Sequence, residues 1–378
     1  MSYSLELGPI RPPSEAYSLL IRATRNCPWN RCKFCHLYKG KKFQLRPADE
    51  IKQDIQTARL IRDKITEISW KSGYGGRLRE VAGMVLNNPP DEAFRNVALW
   101  LYSAGENVFL QDANSLIMRT NELAEVIRFL RETFPDVKRV TSYARSKTAA
   151  KKKLDELIEL YQAGLSRLHI GLESGHDPLL RYMDKGVTAA EHITGGRKIV
   201  ESGISLCEYV VLGLGGKEMW REHAIQTARV LNEIAPDFIR VRTLTINNKT
   251  PLHAEVENGN FIRGTDEDIL KEERLLIEHL ECHSNYVSDH ITNLLQEIEG
   301  ALPQDKETML ACIDRFMALS PEEKTNFRVG RRVGMYSSLD DLYDSRRHEV
   351  VEQVTHKLSQ GNNKVDEKTI YALMEGFI

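Results

Sequence analysis

Long apolar runs are missing from this chain, and so is an excess of either charge. No stretch approaches the roughly 20 consecutive apolar residues that a membrane-spanning helix needs. Lys and Arg number 52 against 54 Asp and Glu, a net charge of -2. A balance so close to neutral gives no bulk attraction to nucleic acid or to an anionic membrane. No membrane partner is therefore expected, and nucleic acid is disfavoured unless a local patch recruits it. The opening residues, Met1 to Pro13, are polar and proline-bearing and lack the basic-then-apolar order of a secretory signal, which fits a cytoplasmic protein. Cysteine is scarce as well. Six in 378 residues are too few for a disulfide scaffold, and in a reducing compartment a cluster of them points to metal binding or catalysis.

What is present is a strand–helix alternation. Tyr17 to Thr24 reads as a strand, followed by a helix to Ile68 with apolar residues at Ile51, Ile55, Ala58, Ile61 and Ile65, the three-and-four spacing of an amphipathic face. Asn107 to Gln111, Val137 to Tyr143, Arg167 to Leu172, Ser205 to Leu212 and Phe238 to Thr245 read as further strands, each with a helix after it until the last. Such an order implies right-handed crossovers in a doubly wound or a barrel-like α/β sheet, and periodicity does not choose between them. Two helices in about 72–106 interrupt the alternation as an insertion. From about Thr265 the pattern is helical. The expected organisation is 1–251 as an α/β domain and 252–378 as a helical C-terminal region.

Three of the six cysteines fall within nine residues, Cys27-Pro28-Trp29-Asn30-Arg31-Cys32-Lys33-Phe34-Cys35, in the loop after the first strand. Active sites of parallel α/β folds gather in such loops. Structural zinc normally takes four protein ligands, so a lone triplet suits it poorly, although zinc and chance clustering both remain open. An iron–sulfur cluster on three thiolates keeps one iron free to bind a small molecule.

At these residues the chain resembles the radical SAM superfamily, whose usual spacing is CX3CX2C with an aromatic residue before the last cysteine. Here the spacing is CX4CX2C, one residue longer, with Phe34 at the aromatic position. The block Arg167-Leu168-His169-Ile170-Gly171-Leu172-Glu173-Ser174-Gly175 through Lys185 resembles the branch that includes oxygen-independent coproporphyrinogen oxidases, methylthiotransferases and Elongator-type enzymes. The resemblance implies a partial (β/α)6 TIM-type barrel over about two-thirds of the chain. It implies a [4Fe-4S] cluster on Cys27, Cys32 and Cys35, with S-adenosylmethionine (SAM) on the open iron. It also implies that Glu173 binds the SAM ribose and Lys185 the methionyl carboxylate, roles that suit a double acceptor and an ammonium. Asp112, where the superfamily often has a Gly-Gly-Glu segment, is a candidate for the SAM amino group. Ser142 is a candidate contact at the third strand end, and Gly213 and Leu214 are candidates for the adenine.

The implied reaction is reductive cleavage of SAM to a 5′-deoxyadenosyl radical that takes hydrogen from a substrate, with flavodoxin or ferredoxin as an electron donor. The substrate is unidentified, with a small organic molecule preferred over RNA or a peptide. A non-catalytic iron–sulfur or zinc protein is the alternative of another class. Two further clusters stand out. His279, Cys282 and His283 are expected on one helix as a weak metal candidate, and Arg328, Arg331, Arg332, Arg346 and Arg347 are expected on a salt-bridged surface.

Overall fold

The computed structural model describes residues 3–359 and 365–376. It resolves into two compact units, Met1–Asn30, Leu37–Gly171 and Thr194–Cys207 forming one, and Arg31–His36, Leu172–Ile193 and Glu208–Ile378 the other. Among the described residues, the central sheet has eight strands: β1 Leu19–Arg22, β2 Asn107–Gln111, β3 Arg139–Ala144, β4 Leu165–Glu173, β5 Ser205–Leu212, β6 Phe238–Thr243, β7 Ser284–Val287 and β8 Gly300–Leu302. They lie in the sheet in chain order. A doubly wound sheet would reverse direction at a switch point; this order has no reversal and is that of a barrel-type winding.

In the first unit β1, β2, β3 and β4 pair in parallel, with Leu19 opposite Val108 and Phe109 opposite Thr141. Their apolar residues are buried almost without exception. The helix Ala48–Lys71 buries Ile51, Ile55, Ala58, Ile61 and Ile65, the stripe its spacing predicts. The insertion forms helices Leu78–Asn87 and Glu92–Tyr102, the second capped by Asp91, which accepts from Phe94 N at 2.8 Å. Its Asn96 amide accepts from Leu20 N (3.1 Å) and donates to Leu20 O (3.0 Å). The insertion thus satisfies backbone groups on the outer edge of β1, which an open sheet would leave available for pairing with another chain.

In the second unit β6 pairs with β7 in parallel and β7 with β8 antiparallel. These last two strands lie in the segment expected to be helical. They span four and three residues, too few for periodicity to mark, and Tyr286 secures β7 by donating to Glu273 at 2.9 Å. The helix Asp266–His279 stops at His279, so His279, Cys282 and His283 share no helix. Cys282 is buried, its thiol pushed up to about 11 by desolvation. Arg328, Arg331 and Arg332 are buried rather than superficial: Asp266 holds Arg328 (2.7 Å) and Arg332 (2.8 Å), and Arg331 donates to the carbonyls of Leu294, Tyr336 and Asn293. Among the described residues, no helix is long and apolar enough to cross a membrane.

Candidate functional site

In the first unit, a ribbon of Thr24–Arg25 against Gln44–Leu45 draws together the ends of the loop that begins with Cys27. Asn26, just before that cysteine, takes the left-handed φ of 67° that Asn tolerates better than most residues. Asp112 holds it there. Its Oδ2 accepts from Asn26 N (2.9 Å) and from Arg22 Nε (3.0 Å) and Nη2 (2.6 Å). Its Oδ1 is buried without a hydrogen bond and faces Gly8, where a Cβ would come within 1.9 Å. Burial raises the Asp112 pKa against the opposing pull of Asn26 and Arg22. Asn30 N donates to Cys27 Sγ at 3.4 Å, and the Arg145 guanidinium lies 5.1 Å from the Trp29 ring centre. Ser142 is buried and joins Leu110 O (3.0 Å) and Ser115 Oγ (2.7 Å).

Cys32 and Cys35 belong to the second unit. Between them, Lys33 N donates to Met183 O and Lys33 O accepts from Leu252 N, both at 2.9 Å. This grip sends Phe34 into an apolar cluster with Leu179, Met183, Val211 and Leu214. Over the Phe34 ring, 5.7 Å from its centre, stands the Lys185 ammonium, which also donates to Glu173 Oε1 at 2.9 Å. Glu173 ends β4 with φ 64°, a strained value for a non-glycine residue and one that clusters at functional sites. Residues 139 and 151 positions apart in sequence from Phe34 are thereby brought onto it.

A buried network fixes the two strand ends. Gly175 approaches the helix Gly216–Ile234 so closely that a Cβ would meet Gln226 O at 2.3 Å. From that helix His223 Nε2 donates to Val211 O (3.1 Å), so Nδ1 is left to accept from Ser174 Oγ (2.8 Å). Glu272 Oε1 accepts from Gly213 N at 2.7 Å, where φ is 79°, and lies 3.4 Å from His223. Desolvation holds both neutral, lowering His223 to about 4 and raising Glu272 to about 8. Glu208 on β5 is fully buried, with no hydrogen bond to either oxygen. Burial lifts its pKa, while Lys185 opposes and Glu173 adds to the rise.

All six thiols are free of disulfides. Cys27, Cys32 and Cys35 are half-exposed, whereas Cys207 and Cys282 are buried. Among the described residues, no three or more His, Cys, Asp or Glu side chains are grouped so that they could hold a metal ion. The donor set nonetheless fits a cluster chemically: three accessible thiols, one already accepting an N–H. The Glu173–Lys185 pair fits a zwitterionic ligand, since each charge is now satisfied by the other.

No protein-family model matches the chain, and no curated protein matches it. Solved structures do. The Elp3 of the archaeon Methanocaldococcus infernus, lacking its first 46 residues, shares 13% identity over 51% of this chain and 51% of its own, with a TM-score of 0.40. The chain thus spans about half the length of that relative. Methylornithine synthase (PylB) shares 13% over 80% and 82%, at 0.42. The radical S-adenosylmethionine methyltransferase TsrM of Kitasatospora setae, with cobalamin and a [4Fe-4S] cluster bound, shares 12% over 89% and 61%, at 0.43.

His223, Glu272, Ser174 and Glu208 were not among the residues singled out by sequence. Glu208 carried a signal, as the one charge inside the apolar run Ser205 to Leu212. The others became visible only when helix and strand ends met.

Proposed function

We propose that the chain is a radical SAM enzyme acting on a small organic molecule. The observation that carries this reading is the meeting of Phe34, between two cysteines, with the Glu173–Lys185 pair. One half of the cysteine loop is thereby placed against one cation and one anion, the charges needed to grip an amino-acid carboxylate and a ribose.

When bound, the cluster and SAM would supply one-electron reductive cleavage ending in hydrogen-atom abstraction. The chain's own part is to hold and orient. Cys27, Cys32 and Cys35 would ligate the cluster, with Asp112 fixing the backbone before the first of them. Lys185 would release Glu173 to pair with the methionyl carboxylate, freeing Glu173 to accept from ribose hydroxyls. Gly213 and Leu214 would present backbone and an apolar surface to the adenine.

Anaerobic reconstitution with iron and sulfide tests the reading. About four irons per chain and formation of 5′-deoxyadenosine from SAM under a strong reductant are expected. Full iron loading with no 5′-deoxyadenosine would leave a non-catalytic iron–sulfur protein. The Cys27→Ala/Cys32→Ala/Cys35→Ala variant should bind no cluster; full occupancy there would move the site to Cys207, Cys282 or Cys312.

A further inference from the structure

Between Glu15 and Asp49 the chain holds eight Lys or Arg and no Asp or Glu, in a sequence whose overall charge is -2. The three cysteines lie inside this basic stretch. Most of its cations are already answered. Arg22 pairs with Asp112 (2.6 Å), Arg25 with Glu6 (2.6 Å) and Glu50 (2.9 Å), and Arg46 with Asp54 (2.7 Å). Arg31 pairs with Asp184 (3.1 Å) and Lys33 with Glu255 (2.8 Å). Three are left, Lys39, Lys41 and Lys42, on a single turn. Among the described residues none of the three has a carboxylate partner, and Lys41 and Lys42 are exposed.

That turn is fastened to the residues on either side of Cys27. Asn26 and Asn30 both take left-handed φ values, 67° and 48°, which Asn tolerates, and their amides reach back to the turn. Asn26 Nδ2 donates to Lys42 O (2.7 Å), and Asn30 Nδ2 donates to Tyr38 O and to Lys41 O (3.4 Å). Lys39 Nζ returns a bond to Asn30 O (3.0 Å), and Lys41 N closes the turn on Tyr38 O (2.9 Å). Beside it, the ribbon pairs Thr24 with Leu45 and Arg25 with Gln44, and Arg46 donates to Arg22 O (2.6 Å). Three like charges are thus held on fixed backbone whose two amide clamps flank one thiol.

The tip is open. Gly40 takes φ 74°, and a Cβ there would meet nothing within 4 Å. Leu45, on the ribbon itself, is 50% exposed. Cations with apolar surface next to them suit a protein partner, since apolar contact holds such a complex while the charges steer its approach. A nucleic acid would use the lysines and leave Leu45 in water.

Reductive cleavage consumes one electron, which has to reach the cysteines from outside the chain. We propose that the Lys39–Lys42 turn, with Leu45, is the docking surface for an acidic one-electron carrier protein. The step it serves is a bare electron transfer: the reduced carrier loses one electron, the cluster held by the cysteines gains it, and no bond forms or breaks. The proposal rests on the radical SAM reading for the purpose of docking, but the fit of this surface to an acidic protein does not.

Association of the full-length protein with a flavodoxin and, separately, with a plant-type ferredoxin, both acidic carriers, tests it. Saturable binding of at least one is expected at about 10 mM salt, where the Debye length is about 30 Å, and should weaken at about 150 mM, where it is about 8 Å. In Lys41→Glu/Lys42→Glu, affinity at low salt should fall about tenfold or more, mainly through slower association. Both substitutions fall on exposed residues, so the fold should persist, and an unchanged melting temperature checks that. Equal binding by wild type and variant, or no saturable binding of either carrier, overturns the proposal. So does a single-stranded RNA that binds more tightly than either carrier and loses its affinity in the variant. Dithionite separates this surface from the site it serves, because a small reductant needs no docking. A variant that forms 5′-deoxyadenosine as wild type does with dithionite, but more slowly with the carrier, supports the docking surface; equal rates with the carrier overturn it. If dithionite yields no 5′-deoxyadenosine from wild type while the carrier still binds through the lysines, the docking surface stands and the radical reaction falls.

Discussion

Replacing Lys185 by Met separates what the Glu173–Lys185 pair does for the fold from what it does for a ligand. Both side chains are mostly sequestered, 12% and 14% exposed. Removing the ammonium leaves the Glu173 carboxylate desolvated on a strained backbone with its charge unanswered. A fully buried pair loses about 3–5 kcal/mol when one partner is deleted, and the remaining solvent contact lowers this to about 2–3 kcal/mol. At about 2.1 cal/mol/K of unfolding entropy per residue, a chain of 378 residues melts about 3 °C lower for that loss. Glu173→Gln/Lys185→Met removes both charges and should recover to within about 1 kcal/mol of wild type, since a neutral pair of similar size needs no counter-ion. SAM affinity, measured by calorimetry on the reconstituted protein, should be lost in the single and the double variant alike. A double variant that regains stability and still binds SAM as wild type would refute the assignment. A single variant with an unshifted melt would refute the electrostatics.

Gly175→Ala places a methyl 2.3 Å from Gln226 O and 2.8 Å from Thr227 Cα, so it should cost about 1–3 kcal/mol and weaken SAM binding by displacing Glu173; thermal melts and calorimetry check both. Glu272 and Glu273 are each raised from 4.5 to about 8 by burial. The folded state therefore keeps protons that the unfolded chain has released, and the stabilisation each provides is full below pH 4.5 and lost as pH rises through about 8. Melting temperature should fall between pH 6 and pH 9, and less steeply in Glu272→Gln/Glu273→Gln. His223 has the opposite sign: lowered to about 4, its contribution is present above 6.5 and is lost as pH falls through 4. Asp266→Asn leaves Arg328 and Arg332 buried without their shared carboxylate and should destabilise by about 3–5 kcal/mol, read by urea unfolding.

Much of this architecture was legible in the residues. Six strands announced themselves as short apolar runs, and Ile51 to Ile65 marked a helix face, because both signals are local periodicities. Strand order was not local and came only with pairing. The seventh and eighth strands escaped because four residues are too few to show a period. Phe34, Glu173 and Lys185 were found by resemblance, and the structure joins them. Asp112 was expected to face a ligand, yet it also clamps Asn26 through a carboxylate that already accepts three hydrogen bonds, a commitment no sequence pattern records. The arginines from Arg328 to Arg332 were read as surface because polarity usually means exposure; their carbonyl and Asp266 partners lie between 5 and 66 positions away along the chain.

Those arginines have a consequence for how the protein matures. Arg331 and Arg332 hold the carbonyls of Thr292, Asn293 and Leu294, and the turn they hold is itself tied to the end of β6. Synthesis runs from the N-terminus. A nascent chain that has not yet released residue 332 from the ribosome therefore carries β6 with its flanking turn unsupported, and the end of that strand is finished among the last parts of the molecule.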